Sequence, residues 1–258
     1  MTWILGIQGP QGCGKSTLAS ALVEEWGRAG VRASAVSIDD FYLTHAEQEA
    51  LASHHPGNPY LLYRGYPGTH DVALGRRTID ALASLGIAES TDVPAYDKSA
   101  HRGRGDRVPA SAWRRVTGPV DVLVVEGWML GFTPVDASAE TLAVDPTLRA
   151  PNEYLEAYRA WHERLDAFVH MRVDSLDTVV RWRVDSERAR RERGETALSD
   201  EDARDYIERF MPAYRLWGPQ LCAHPPCSEF IVIELAEDRS LRPRDAVQRI
   251  LRTAPRQG

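Results

Sequence analysis

An α/β fold is predicted, with five parallel strands, helices on both faces and a helical lid, and three observations predict it. Gly9 to Ser16 reads GPQGCGKS and fits the phosphate-loop pattern G-x-x-x-x-G-K-[ST]. A short apolar run, Trp3 to Gln8, precedes it, and Ser16 to Ala29 follows with apolar residues at helical spacing. Further on, four more strand-like runs alternate with helical segments, and carboxylates close two of them.

The loop itself carries the most chemistry. Gly9, Gly12 and Gly14 let successive backbone N–H groups converge on phosphate oxygens, with Pro10, Gln11 and Cys13 between them. The helix beginning near Thr17 adds the positive end of its dipole. Lys15 is placed to reach the β- and γ-phosphates, and the Ser16 hydroxyl to hold Mg²⁺. ATP and Mg²⁺ are the expected cofactors. Cys13, Cys222 and Cys227 are too few and too scattered for a disulfide framework, so reduced thiols are expected.

Arg32 to Ile38 reads as the second strand and runs into Asp39, Asp40, Phe41 and Tyr42. Two carboxylates at the C-terminal end of a strand stand where ligands bind in open α/β sheets, so a catalytic reading leads over a turn or helix cap. A short helix is expected over His45 to His54, then a proline- and glycine-rich loop from His55 to Asp71 whose Arg64, His70 and Asp71 could meet an anionic acceptor. A helix follows to about Leu85. Val93 to Arg107 interleaves Lys98, Arg102, Arg104 and Arg107 with glycines, next to Tyr96, and suggests an anion clamp. Val120 to Val125 is the third strand, leading into Glu126, an acid placed to orient Mg²⁺.

From Thr133 to Pro151 a loop is expected, then a helix capped by Asn152 and ending near Leu165. Ala167 to Val173 is the fourth strand, with His170 as a sheet histidine. The arginine-rich helix over Ser175 to Arg193 is either a solvated face or a lid whose Arg181 and Arg183 stabilise a transferring phosphoryl group. Ser199 with Asp202 starts one long helix, SDEDARDYIERFMPAYRLWGPQL, with Tyr206, Ile207, Phe210 and Tyr214 as its core stripe. Glu229 to Leu235 is the fifth strand, and Asp245 to Leu251 lies in a closing helix.

The 258 residues suit one large domain, with acceptor-binding loops at about 55–71 and 93–107 and a lid at about 175–198. Charged residues at 26% and hydrophobic ones at 43% are ordinary for a globular chain. A net charge of −6 argues against general nucleic-acid affinity, and no apolar run approaches a membrane span, so a cytoplasmic protein is expected.

With the loop after the first strand, this is the architecture of P-loop NTPases, with expected strand order 2-3-1-4-5. GPQGCGKST, SIDDFYLT, RGYPGTHD, YDKSAHRGRGDR, VVEGWMLGF and the WR…SDED…PAYR stretch resemble the D-glycerate 3-kinase branch of the uridine kinase and phosphoribulokinase group. The resemblance implies ATP and Mg²⁺, a glycerate-like acceptor and transfer to a hydroxyl. It puts the base on Asp39, nucleotide and metal contacts on Lys15 and Ser16, a further metal acid on Glu126 and a lid arginine near Arg183. A kinase for a nucleoside, pantothenate or another metabolite is the alternative, and an ATP-binding regulator a more distant one.

Overall fold

The structure, a computed structural model, describes residues 1–136, 138, 140–243 and 245–254. Its centre is a sheet built from β1 (Trp3–Gln8), β2 (Ala33–Ser37), β3 (Val122–Gly127), β4 (Ala167–Val173), β5 (Glu229–Leu235) and β6 (Leu241–Arg242). The strands lie in the order β6-β5-β4-β1-β3-β2. β1 to β5 run parallel, while β6 pairs antiparallel with β5 through Leu241 and Arg242. The expected all-parallel sheet of five is therefore corrected to a mixed sheet of six. A two-residue strand offers no alternation to read, which is why the sequence hides it.

Alternation along the strands divides the core between two faces. Leu5 and Ile7 of β1, Val122 and Val124 of β3 and Val169 and Met171 of β4 bury on one face, under Leu18, Leu22 and Trp26 of α1 (Lys15–Arg28). Ile4, Leu123, Val125 and Phe168 bury on the other. There they meet Ile79 and Leu82 of α3 (Val72–Ser84) and a set of aromatic rings that includes Trp128, Trp161, Phe210 and Trp217. Between α1 and α3 lies α2 (His45–His54), whose N-terminus closes on a Thr44–Glu47 capping box.

Three expectations change in the second half. Glu140–Val144, Pro146–Leu148 and Arg149–Tyr154 are helical where a loop is expected, and the expected helix from Asn152 continues as separate turns, Leu155–Tyr158 and Arg159–His162. Asn152 does not cap: its side-chain oxygen accepts from Val135 N–H and from Trp217 Nε1, and its amide donates to Val135 O. The arginine-rich helix α4 (Leu176–Glu192) ends as expected at Gly194. The long helix after it is broken into α5 (Asp200–Glu208) and α6 (Met211–Ala223). Pro212 has no N–H to give to Glu208 O, so the chain turns over Arg209–Phe210 and restarts. The closing helix, Ala246–Thr253, packs Ala246 and Ile250 beneath the sheet.

Candidate active site

The site forms where parallel strands end together. In the sheet register Ser37 of β2 stands beside Glu126 of β3, and Glu126 beside Ile7 of β1. Asp39 springs from the first strand end, the phosphate loop from the third, and Glu126 lies between them. Parallel pairing thus puts both features at one edge of the sheet.

Gly14, at φ 93°, adopts the left-handed conformation that turns the loop into α1, a conformation costly for any residue with a Cβ. Lys15 Nζ donates to Pro10 O at 2.9 Å, and Ser16 Oγ donates to Glu126 Oε1 at 2.9 Å. Gln11 N–H donates to the Tyr214 hydroxyl at 3.2 Å, and that hydroxyl donates back to Gln11 Oε1. Trp182 lies over Gly12. Cys13 is buried, which pushes its thiol up against the pull of Lys15, so it is held as a thiol. His170 is a sheet histidine, its Nδ1 2.6 Å from Gln8 Oε1, and burial lowers it to about 4.

Asp39 and Asp40 occupy a 3₁₀ turn, Ile38–Phe41. Ser37 caps it, its hydroxyl accepting from Asp39 N–H at 3.3 Å, while its own N–H donates to Asp40 Oδ2 at 3.4 Å. Gly127 makes room for this turn: a Cβ there would lie 2.3 Å from the Ile38 side chain. The half-buried Asp39 carboxylate pairs with Lys98 Nζ at 2.5 Å and accepts from the Tyr42 hydroxyl. Burial pushes Asp39 up, but Lys98, with help from the Tyr42 hydroxyl, outweighs it and holds the carboxyl below its ordinary value. Asp40 goes the other way: burial, reinforced by the Asp39 charge, raises it to about 6. One of two adjacent carboxylates is thus kept ionised and bonded while its neighbour titrates at a higher pH, about 6.

Several residues of the 55–71 and 93–107 loops lie against this turn, while Arg64 and Arg104 do not reach it. His70 is buried, stacked on Tyr42 at 4.3 Å, with Nδ1 2.8 Å from the Tyr158 hydroxyl. Its Nε2 has no partner among the described residues, and burial lowers the ring to about 3, which keeps it neutral. Tyr96 meets Tyr42 edge to face at 5.3 Å. Arg107 donates to Tyr42 O at 2.8 Å and lies 3.7 Å from Asp71. Asp71 caps α3, accepting from Leu74 N–H at 2.8 Å. The Arg64 guanidinium is occupied in tying down the basic loop through the carbonyls of Gly103, Arg104 and Lys98. Arg104 is exposed, its guanidinium 5.4 Å over the Tyr63 ring. On α4, Arg183 pairs with the buried Glu187 at 2.6 Å and stacks over Tyr206 at 4.5 Å, whereas Arg181 is bound to Glu237 at 2.7 Å.

Sequence reasoning missed Tyr206 and Arg209. Tyr206, expected in the core, is 37% exposed, and its ring lies under the guanidiniums of Arg183 and Arg209. Its sequence neighbours Arg204, Asp205 and Glu208 are all exposed, and that polar company was the signal against a core position.

A phosphate loop with its lysine, a serine–glutamate pair and an aspartate on the same sheet edge define a P-loop kinase. No family model matches the sequence. The chain is 41% identical over 245 residues to D-glycerate 3-kinase, chloroplastic, of Arabidopsis thaliana, covering 92% of this chain and 53% of that one. It thus spans about half the length of the plant protein. It is 37% identical to the uncharacterized kinase mug58 of Schizosaccharomyces pombe, covering 90% and 88% of the two chains. The solved structure of D-glycerate 3-kinase from Cryptococcus neoformans superposes with a TM-score of 0.84 at 30% identity, covering 93% of this chain and 88% of that one. The chain belongs to the D-glycerate 3-kinase family. Among the described residues no helix is long and apolar enough to cross a membrane.

Proposed function

We propose that this kinase transfers the γ-phosphoryl group of ATP to the hydroxyl of a small anionic acceptor, D-glycerate, giving 3-phosphoglycerate. The observation that carries the reading is the register Ser37–Glu126–Ile7, which sets the Asp39 turn and the phosphate loop on one sheet edge with Glu126 between them. Asp39 accepts the proton of the attacking hydroxyl. Its low pKa keeps it ionised at neutral pH, and its fixed position supplies the rest, since a base held at a hydroxyl acts as bond breaking to the leaving group advances.

The loop suits a triphosphate: it carries the glycines and the helix start that phosphate cradles use, with Gly14 in the left-handed conformation at the start of α1, and Lys15 Nζ is held at the loop by Pro10 O. Ser16, Glu126 and Asp39 supply hard oxygen donors suited to Mg²⁺, with Ser16 and Glu126 already in contact. When bound, the ion neutralises charge on the phosphoryl oxygens. Lys15 and the lid's Arg183 add fixed positive charge, and the helix over Leu176–Glu192 excludes water. Asp40, Tyr42, Arg64, His70, Asp71, Tyr96, Lys98, Arg104 and Arg107 shape the acceptor side. The chain acts as one kinase domain in which loops 55–71 and 93–107 form the acceptor wall and residues 175–198 the lid.

The test is a coupled assay of ADP release with D-glycerate, nucleosides and pantothenate as acceptors. Stimulation by D-glycerate over the others is expected, and its absence overturns the reading.

A further inference from the structure

The cations around the Asp39 turn are not equally available. Lys98 is spent on Asp39, Arg64 on three loop carbonyls, Arg107 on Tyr42 O and Asp71, and Arg183 on Glu187. Arg209 is different. Its guanidinium lies 4.9 Å from the Phe210 ring, 5.6 Å from Tyr206 and 5.7 Å from Tyr63, and its one polar contact is a marginal 3.5 Å to Arg64 O. Among the described residues no carboxylate lies within ion-pair distance of it. Arg104 approaches the same Tyr63 ring, so two guanidiniums with no ion pair among the described residues gather about one aromatic side chain in a chain whose net charge is −6.

The position is fixed, not incidental. The Tyr66 hydroxyl donates to Arg209 O at 2.6 Å, and Arg209 continues the α5 spiral by one residue, its N–H donating to Asp205 O at 3.4 Å, before the chain restarts ahead of Pro212. Rings on several sides strip water from the guanidinium without pairing it, which makes it a stronger receptor for an anion. The Tyr206 ring carries both Arg209 and Arg183, and Arg64 links Arg209 to the reacting end: its carbonyl accepts from Arg209 while its guanidinium donates to the carbonyl of Lys98, the partner of Asp39.

We propose that Arg209 is the receptor for the acceptor's carboxylate, with Tyr206 as the residue that positions it, so that the junction between α5 and α6 sets specificity for an anionic over a neutral polyol. The proposal rests on the glycerate reading above. A carboxylate meets the planar fork of Arg209 while the hydroxyl at the other end of the same small molecule faces Asp39. Glycerol, which lacks the carboxylate, leaves the fork unpaired.

The experiment compares wild type, Arg209→Met and Arg209→Lys by steady-state kinetics on D-glycerate and glycerol and by calorimetric titration of D-glycerate. Methionine keeps an apolar stem against the rings. Arg209→Met is expected to raise the KM for D-glycerate about 10- to 100-fold, the size of one charge-assisted contact. The preference for D-glycerate over glycerol should fall by the same factor, with the KM for ATP and the melting temperature unchanged, and Arg209→Lys should recover part of the loss. Unchanged glycerate KM and preference overturn the proposal, and so does a joint loss of ATP affinity and melting temperature, which marks a packing role. If wild type binds D-glycerate without phosphorylating it and Arg209→Met abolishes that binding, the activity reading fails while this one stands. If wild type does not bind D-glycerate, both fail.

Discussion

The two halves of the cleft are built by different means. On the nucleotide side, geometry comes from main chain and sheet: a glycine in the left-handed conformation, a helix start, and strand ends aligned by ladder pairing. On the acceptor side it comes from side chains meeting across long stretches of sequence, such as Arg209 with Arg64, 145 positions apart, or His70 with Tyr158, 88 apart. The first construction fixes a shape shared by proteins that carry this phosphate loop. The second lets rings and cations be exchanged one at a time, which is how a shared frame comes to serve different acceptors.

Three substitutions sharpen this contrast. Asp39→Asn should have the largest effect, lowering kcat about 10²- to 10⁴-fold, the worth of a positioned general base, while affinity for ATP without Mg²⁺, measured by calorimetry, stays put. If nucleotide binding falls with it, the two halves are not separable. Lys15→Met should weaken nucleotide binding about 10- to 100-fold through the loss of a charged phosphate contact and leave D-glycerate titration of the protein unaltered.

The smallest effect belongs to the frame beneath both halves. His162 is buried, its Nε2 accepting from Gly131 N–H at 2.9 Å, and burial lowers it to about 4. A depressed histidine binds its proton in the unfolded chain first, so stability is complete above about pH 6.5 and declines as pH falls toward 4. His162→Gln should flatten the fall of melting temperature with acid by about one proton's worth, roughly 1.4 kcal/mol per pH unit, and change neither KM.

The same contrast explains what the amino-acid sequence disclosed. GPQGCGKS and the acids closing two apolar runs depend on neighbours within a few positions, so the loop, Asp39 and Glu126 were readable with the strands that carry them. β4 and β5 fall on the expected boundaries because their apolar runs are bounded on both sides. Asn152 was misread as a cap because its partners, Val135 and Trp217, lie 17 and 65 positions away. Tyr206 was assigned to the core because helical spacing was extended through Arg209 and Phe210, where the missing N–H of Pro212 ends the spiral. The uses of Arg64 and Arg107 had no local signal at all: both donate to main-chain oxygens of distant loops.

The alignment of Ser37, Glu126 and Ile7 has a consequence for how this chain can change over generations. Slipping β2 by one step would carry the base about 3.3 Å along the ladder and turn each of its side chains to the opposite face, so the central strands tolerate exchange of residues but not gain or loss of one. The irregular run between His55 and Asp71 carries no such ladder, and length variation among descendants should collect there.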